Sequence, residues 1–198
     1  MERAIFVRHG ESEYSARALV NGDPSVAVGL TEEGREQARL LGERLVSEPI
    51  DLCVVTEFGR TRETADLALG NREVPRVVFA DLNDPFYGEF EGKPLADYRK
   101  WAGTHGPLDV PPANGEARAA IAERYARGFR FLLGRPEETI LVLCHSLPIA
   151  FALAAADGRR PSAKMPLITP AEPHILYEDS LREAAERIED WVLNPVYP

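Results

Sequence analysis

The sequence predicts an α/β protein with a mostly parallel sheet that helices cover on both faces. Short, continuously apolar segments alternate with longer stretches whose apolar residues recur at helical spacing. Strands that are apolar on both faces are typical of parallel sheets, because helices pack against each side. The chain of 198 residues contains no internal repeat, and this length is usual for one hydrophobic core. We therefore expect one domain over residues 1–198.

The first half of the chain holds three short apolar segments that we interpret as strands, over residues 4–7, 52–55 and 77–79. Between the first two, Thr31 stands at the N-cap position of a helix with an acidic first turn, which suits the helix dipole. The second segment leads at once into another helical stretch that includes residues 65–69. Strand and helix thus alternate, as expected for a parallel sheet.

The second half continues the alternation and ends on a helix. A long helix is predicted over about residues 116–133, and the most buried-looking strand follows at residues 140–143. Pro148 then falls near the first turn of the next helix, a position that proline tolerates. A last strand at residues 174–177 and a helix at residues 180–192 complete the pattern.

Two irregular stretches, residues 103–115 and 157–173, are rich in proline and longer than ordinary connections. Long loops of folded domains often carry function, so each is a candidate lid or recognition loop. A plain surface loop is the alternative for both. The second stretch carries Arg159, Arg160 and Lys164, and we expect these cations to extend a binding site toward a second anionic group.

Composition and charge exclude several classes of partner. The formal net charge is −9 with 44% hydrophobic residues, so the chain is globular but lacks the basic surface that nucleic acids and anionic lipids require. A small anionic substrate remains compatible, because a few arginines can form a local positive pocket. No apolar run reaches the roughly 18 residues of a membrane span. Cys53 and Cys144 lie in apolar segments, as buried thiols do, and we expect a reducing, cytoplasmic location.

Four polar residues follow predicted strands at the point where each strand ends. His9 follows the first strand, Arg60 lies in the helical turn after the second, Asp84 follows the third, and His145 follows the fourth. In an open α/β sheet, ligands bind outside the carboxyl ends of parallel strands. We therefore expect these residues to meet at one edge of the sheet, together with Arg8.

These side chains suit phosphate chemistry better than metal chemistry. His9, Asp84 and His145 are zinc-ligand types, but Arg8 and Arg60 would place positive charge beside the ion. Arginines instead bind phosphate oxygens with charge-assisted hydrogen bonds. One histidine can then attack phosphorus while the other donates to the transferring oxygens, and a protonated Asp84 can supply a proton to the leaving alkoxide. The loop motifs of nucleotide-binding proteins are absent.

The tetrapeptide at residues 8–11, Arg-His-Gly-Glu, resembles the signature of the histidine phosphatase superfamily, also called the phosphoglycerate mutase-like family. The similarity continues in order through residues 29–38, 56–65, 82–92 and 143–146. It covers the chain from residue 4 to about residue 153. The resemblance is therefore much more specific than the tetrapeptide alone.

The resemblance implies a fold and a set of roles. The family fold is a three-layer α/β/α sandwich with one antiparallel edge strand, for which residues 174–177 are our candidate. His9 would become phosphohistidine, Arg8, Arg60 and His145 would form the phosphate pocket, and Asp84 would be the general acid. The family uses no metal or other cofactor for this chemistry. The implied substrate-binding set comprises Arg8, Ser15, Asn21, Gly22, Arg60, His145 and Ser146.

Several positions depart from the family pattern. Asp84 stands where glutamate is more frequent, which shortens the reach of the carboxylate by roughly 1.5 Å; Pro85 favours an extended backbone there. Ser15 replaces a frequent asparagine, Ser146 a frequent glycine, and the match around Asn21 is loose.

We expect a phosphomonoesterase that hydrolyses small phosphorylated metabolites. A phosphoglycerate mutase is one alternative, although the basic insertion of mutases is missing and only Arg99 and Lys100 stand in that region. A noncatalytic phospholigand-binding module is the other. A homodimer is also open, because the apolar segment at residues 191–198 is expected to pack either on the body or on a second subunit.

Overall fold

Five strands form a single sheet in the order β3-β2-β4-β1-β5 in the computed structural model, which describes all 198 residues. The strands are β1 (Arg3–Arg8), β2 (Leu52–Val55), β3 (Arg76–Val78), β4 (Thr139–Cys144) and β5 (Pro173–Tyr177). The helices are α1 (Glu13–Ala16), α2 (Glu32–Arg44), α3 (Gly59–Leu69), α4 (Leu95–Ala102), α5 (Arg118–Leu133), α6 (Ser146–Ala156) and α7 (Glu178–Leu193).

The sheet is parallel apart from one edge. The pairs β1–β4, β4–β2 and β2–β3 are parallel, and only β5 runs antiparallel, against β1. Leu143 of β4 lies opposite both Val7 of β1 and Val55 of β2. The carboxyl ends of these strands therefore reach the same edge of the sheet. The predicted mostly parallel sheet with an antiparallel edge strand is confirmed.

Side chains of successive strand residues point to opposite faces of the sheet, and helices cover both faces. On β1, Ala4 and Phe6 pack into the larger core with α5, α6 and α7. Ile5 and Val7 pack into a second core with α2 and α3. Every residue of β4 is buried, as its continuously apolar sequence predicts for a central strand. These three layers position the carboxyl edge of the sheet between two sets of helices.

Two helices and two short 3₁₀ turns were not predicted. The helix α1 has only four residues, which is too few to show a repeating pattern of apolar residues. The sequence feature that marks its start is a capping box between Ser12 and Ser15. The helix α4 buries Tyr98 and Ala102 against a small aromatic cluster. The 3₁₀ turns Ala80–Leu82 and Gly88–Phe90 flank the Asp84 segment. All four elements lie between strands of the predicted sheet and leave its topology unchanged.

Both cysteines are buried and free, as expected. Burial raises the pKa of Cys53 to about 12 and moves the pKa of Cys144 in the same direction. Both thiols therefore stay protonated and act as apolar core groups.

The C-terminal segment packs on the body of the protein. Trp191 is buried, its Nε1 donates to the Val196 carbonyl at 2.8 Å, and its ring stacks on Tyr197. Tyr197 in turn packs against the larger core. None of the helices combines the length and apolar character that crossing a bilayer requires.

Candidate active site

The sheet topology brings the predicted catalytic side chains to one place. His9 follows β1, and its backbone N–H donates to the Cys144 carbonyl at the end of β4. His145 is the N-cap residue of α6, and Arg60 is the second residue of α3. Asp84 follows the first 3₁₀ turn after β3. A cavity at the carboxyl edge is lined by Arg8, His9, Arg60 and Asp84, among others.

Arg60 is the centre of this arrangement. Its Nε donates to His9 Nε2 at 3.0 Å, and its Nη2 donates to Asp84 Oδ2 at 3.1 Å. Its Nη1 donates to Asn21 Oδ1 at 2.5 Å, and the guanidinium stacks over the Phe58 ring. Buried arginines need such partners, because an unpaired buried charge is costly. The contacts fix one positive group between the two histidines and the carboxylate.

His9 has the protonation state that a nucleophile needs. Its Nδ1 lies 2.7 Å from the Gly10 carbonyl oxygen, which accepts only, so Nδ1 carries the proton. The lone pair of Nε2 is left to accept from Arg60. Burial lowers the pKa of His9 well below its usual range, and the charges of Arg60 and Arg8 lower it further. His9 is therefore a neutral imidazole at the cavity wall, and its Nε2 lone pair accepts from Arg60.

His145 and Asp84 form a buried pair. His145 Nδ1 lies 3.2 Å from Asp84 Oδ2, and His145 Nε2 lies 3.0 Å from the hydroxyl of Thr56. Burial lowers the pKa of His145 to about 4 despite the opposing effect of Asp84. Neutral His145 then donates from Nδ1 to the carboxylate and accepts at Nε2 from Thr56.

Asp84 is an ionised carboxylate at neutral pH. Burial by itself would raise the pKa of its carboxyl, but His145 and Arg60 together hold it well below its usual range. The shorter side chain, compared with glutamate, still reaches both partners. The reach of Asp84 toward the oxygen of a leaving alcohol stays a prediction.

Arg8 contributes a further cation. Its Nη1 donates to the Ile168 carbonyl at 2.7 Å, and its buried Nε has no protein partner. Burial lowers the pKa of Arg8, with opposition from Asp84, but an arginine stays charged at neutral pH. A free buried donor beside the cavity is suited to an anionic oxygen.

His9, Asp84 and His145 also have side chains of the kinds that bind metal ions. The ligand atoms of His9, Asp84 and His145 lie within 4.8 Å of one another. The Arg60 guanidinium, however, donates to His9 and Asp84 and lies 3.3 Å from His145 Nδ1. This positive group stands where a cation would have to bind. The donor set therefore favours an anion.

Comparison with known proteins agrees with this geometry. The sequence model of the histidine phosphatase superfamily (branch 1) matches residues 4–192. The chain belongs to the histidine phosphatase superfamily.

The relatives include both phosphatases and mutases. The adenosylcobalamin/alpha-ribazole phosphatase of Salmonella typhimurium is 32% identical over 133 residues, which span 63% of this chain and 64% of that protein. A 2,3-bisphosphoglycerate-dependent phosphoglycerate mutase of a Methylobacterium species is 31% identical over 175 residues, 80% of this chain and 82% of the relative. The solved structure of a putative alpha-ribazole-5'-P phosphatase from Escherichia coli has a TM-score of 0.71 at 26% identity, covering 80% of this chain and 81% of the other.

Ser15, Asn21 and Ser146, three further residues of the predicted substrate-binding set, line the cavity. Asn21 lines the cavity and holds Arg60 through its amide oxygen. Ser15 and Ser146 also line the cavity, although the Ser15 hydroxyl is paired with Ser12 and the Ser146 hydroxyl accepts from the Ile168 N–H. These residues are close enough to contribute to the site while they also support its walls.

Gly22 has a packing role. Its N–H donates to the carboxylate of Glu91, whose oxygens lie at 2.9 and 3.1 Å. A Cβ atom at this position would meet the Pro85 carbonyl oxygen at 1.7 Å. The structure therefore packs Gly22 closely between two loops, and its contact with substrate stays a prediction.

The three cations of the 157–173 stretch do not line this cavity. Arg159 and Arg160 line a different cavity, beside Arg187 and Trp191, and Lys164 lines neither. The helix α6 is about 16 Å long and carries the chain away from the strand ends before these residues occur. The stretch returns to the site only at residues 165–168, so it forms a wall but does not supply the expected cations.

The 103–115 stretch is irregular, as predicted, but contributes no lining residue. The lining residues that the sequence did not single out come from α1, α4, the start of α6, the 165–167 segment and the loops around Leu19 and Tyr87, and most are apolar or aromatic. They include Tyr14, Leu19, Tyr87, Tyr98 and Leu147. A signal existed for Thr56, which directly follows β2, but its partner lies 89 residues away.

Proposed function

We propose that this protein is a phosphomonoesterase of small phosphorylated metabolites, with His9 as the nucleophile. The observation that carries the proposal is the neutral His9, whose Nε2 lone pair lies among the donors of a cationic pocket. A basic lone pair and fixed positive charge at one point are what phosphoryl transfer to a histidine requires.

The first step transfers the phosphoryl group to His9. Arg60 and Arg8 bind the phosphate oxygens in place of their present partners, and the backbone N–H groups at the start of α6 add the positive end of a helix dipole. His9 Nε2 forms a bond to phosphorus while the bond from phosphorus to the alcohol oxygen breaks. His145 donates from Nδ1 to a transferring oxygen.

Asp84 is the acid for the leaving alkoxide in this proposal. The carboxylate is ionised in the free site because Arg60 and His145 face it. A bound phosphate dianion takes over those donors and adds a negative charge beside the carboxylate, and both effects raise its pKa. Asp84 then holds a proton for the alcohol oxygen and, as carboxylate, removes a proton from the water that attacks phosphohistidine.

A rate panel tests the proposal. We expect phosphate release from monoesters, with alpha-ribazole 5'-phosphate included because phosphatases of that name are among the relatives. His9→Asn is expected to lower release below about a thousandth of the parent rate without unfolding the protein. Turnover of a folded His9→Asn protein above a tenth of the parent rate would refute the nucleophile assignment.

A mutase is the second candidate, because phosphoglycerate mutases match 80% of the chain. It differs only in the acceptor, which is a second alcohol in place of water. Interconversion of 3- and 2-phosphoglycerate that is faster than phosphate release would favour it. The cavity contains one cation away from the phosphate pocket, Arg99, which favours the phosphatase. The cytoplasmic location and the homodimer remain predictions.

A further inference from the structure

One wall of the cavity away from the strand ends is apolar. It is formed by Leu19, Leu95, Leu147, Met165, Pro166 and Leu167, and tyrosine rings also line the cavity. Arg8, His9, Arg60 and Asp84 lie at the strand ends, where the phosphate group would bind, whereas Ser12, Ser15 and Arg99 add polar groups on the side of α1 and α4. An ester bound there places its alcohol portion against these apolar side chains.

One wall is a short segment held rigidly at both ends. The Arg8 Nη1 and the Ile168 carbonyl are 2.7 Å apart, and the Ile168 N–H donates to the Ser146 hydroxyl at 2.9 Å. At the other end, Arg99 Nη2 donates to the Met165 carbonyl at 3.0 Å. Both Met165 and Ile168 are buried. The wall is thus formed before a ligand arrives, which reduces the ordering cost of binding.

Leu167 is the unusual residue of this segment. It lies between two anchored positions, yet 57% of it is exposed, and it lines the cavity. Packing does not require a leucine at this position. Because three hydrogen bonds fix the segment, Leu167 presents its apolar surface to any ligand that enters the cavity. Single exposed leucines are common on protein surfaces, but this one belongs to a contiguous apolar wall of a binding cavity.

Charge in the same region gives no support to a second anionic group. Arg99 is the one cation there, and one of its terminal nitrogens is engaged with the Met165 carbonyl. The phosphate pocket, by contrast, combines Arg8 and Arg60 with two histidines. Binding a carboxylate or second phosphate usually takes a convergent set of donors, which the outer wall lacks.

We propose that the substrates of this enzyme are phosphate monoesters whose alcohol portion is an apolar body that packs against Leu147 and the 165–167 segment. The inference rests on the proposed phosphomonoesterase function and names its substrate class. Polyols and sugars are disfavoured, because their hydroxyl groups would lose water hydrogen bonds without finding partners on this wall.

A matched pair of substrates tests the inference. Cyclohexylmethyl phosphate and glucose 6-phosphate are both primary esters that carry a six-membered ring, and the sugar adds four hydroxyl groups and a ring oxygen. We expect kcat/KM to be at least about tenfold higher for the cyclohexylmethyl ester. An equal or higher value for glucose 6-phosphate would overturn the inference while leaving the phosphatase function intact. Phosphate release from neither ester would contradict the proposed function, and the inference would fall with it.

A pair of variants tests whether the 165–167 segment causes the preference for the apolar ester. Leu167→Ser is expected to lower the kcat/KM ratio of the two esters by about fivefold or more, since it removes apolar surface at the contact. Leu108→Ser is the control, because Leu108 is 67% exposed on the 103–115 loop and does not line the cavity. It is expected to leave the ratio within twofold of the parent, on the order of the effect of a surface substitution. Equal changes in the two variants would overturn the role of the segment.

Discussion

At the scale of single residues, the site depends on how Arg60 is held. Its guanidinium contacts His9, Asp84 and Asn21, which belong to three separate loops. The strand-end pattern in the sequence was sufficient to predict that His9, Arg60 and Asp84 would meet. It did not single out Thr56, whose hydroxyl contacts His145, because the position of Thr56 directly after β2 does not identify a partner 89 residues away in the chain.

Replacing Asp84 by asparagine tests its role as the acid. The amide keeps the shape but carries no transferable proton. We expect kcat for alkyl phosphates to fall by about 10² or more, and kcat for p-nitrophenyl phosphate to fall by less than about tenfold, because nitrophenolate leaves without protonation. Steady-state rates with both esters measure the difference. An equal loss for the two esters would argue that Asp84 only positions Arg60.

At the scale of elements, the strands were more predictable than the helices that complete the cavity. The apolar runs at β1, β2 and β4 coincide with the observed strands to within one or two residues. The helix α1 is too short for periodicity, and α4 carries a mixed sequence in which only Tyr98 and Ala102 are buried. The part of the site wall that α1 and α4 form is therefore set by tertiary packing that local sequence does not encode.

The C-terminal helix α7 is predicted to contribute stability through Trp191. This side chain is 5% exposed, packs in the larger core and bonds to the tail. Trp191→Ala is expected to lower the free energy of unfolding by about 3–5 kcal/mol, as measured by denaturant titration. Leu193→Ala, at a position 85% exposed, serves as the control and is expected to change it by less than about 0.5 kcal/mol. Similar small effects of both changes would show that the tail is not part of the core.

At the scale of the whole molecule, net charge and local charge have opposite signs. The chain carries −9 overall, yet Arg8 and Arg60 line the same cavity as the neutral His9, and the buried His145 lies directly behind Arg60. The composition correctly allowed a small anionic substrate, but it could not locate the pocket. Only the parallel register of the strands explains why these distant residues form one site.

The buried histidines make stability depend on pH. Burial lowers the pKa of His145 to about 4 and that of His9 well below 6.5, whereas both regain ordinary values when the chain unfolds. Below pH 6.5 the unfolded state therefore binds more protons than the folded state. The free energy of unfolding is expected to decrease as the pH is lowered from 6.5 to 4. Denaturant titrations across this range, with an NMR titration of His145, check the prediction. A His145 midpoint near 6.5 would contradict it.

The central claim is that His9 carries the phosphoryl group between substrate and water. The most direct measurement is to mix the protein with excess p-nitrophenyl phosphate, quench within one turnover under basic conditions that preserve phosphohistidine, and locate the phosphate by mass spectrometry. We predict a single modified residue, His9, with phosphate on Nε2. Phosphate on any other residue would contradict the claim, and so would inversion of configuration at phosphorus with a chiral phosphate ester, because transfer through His9 takes two displacements and gives net retention.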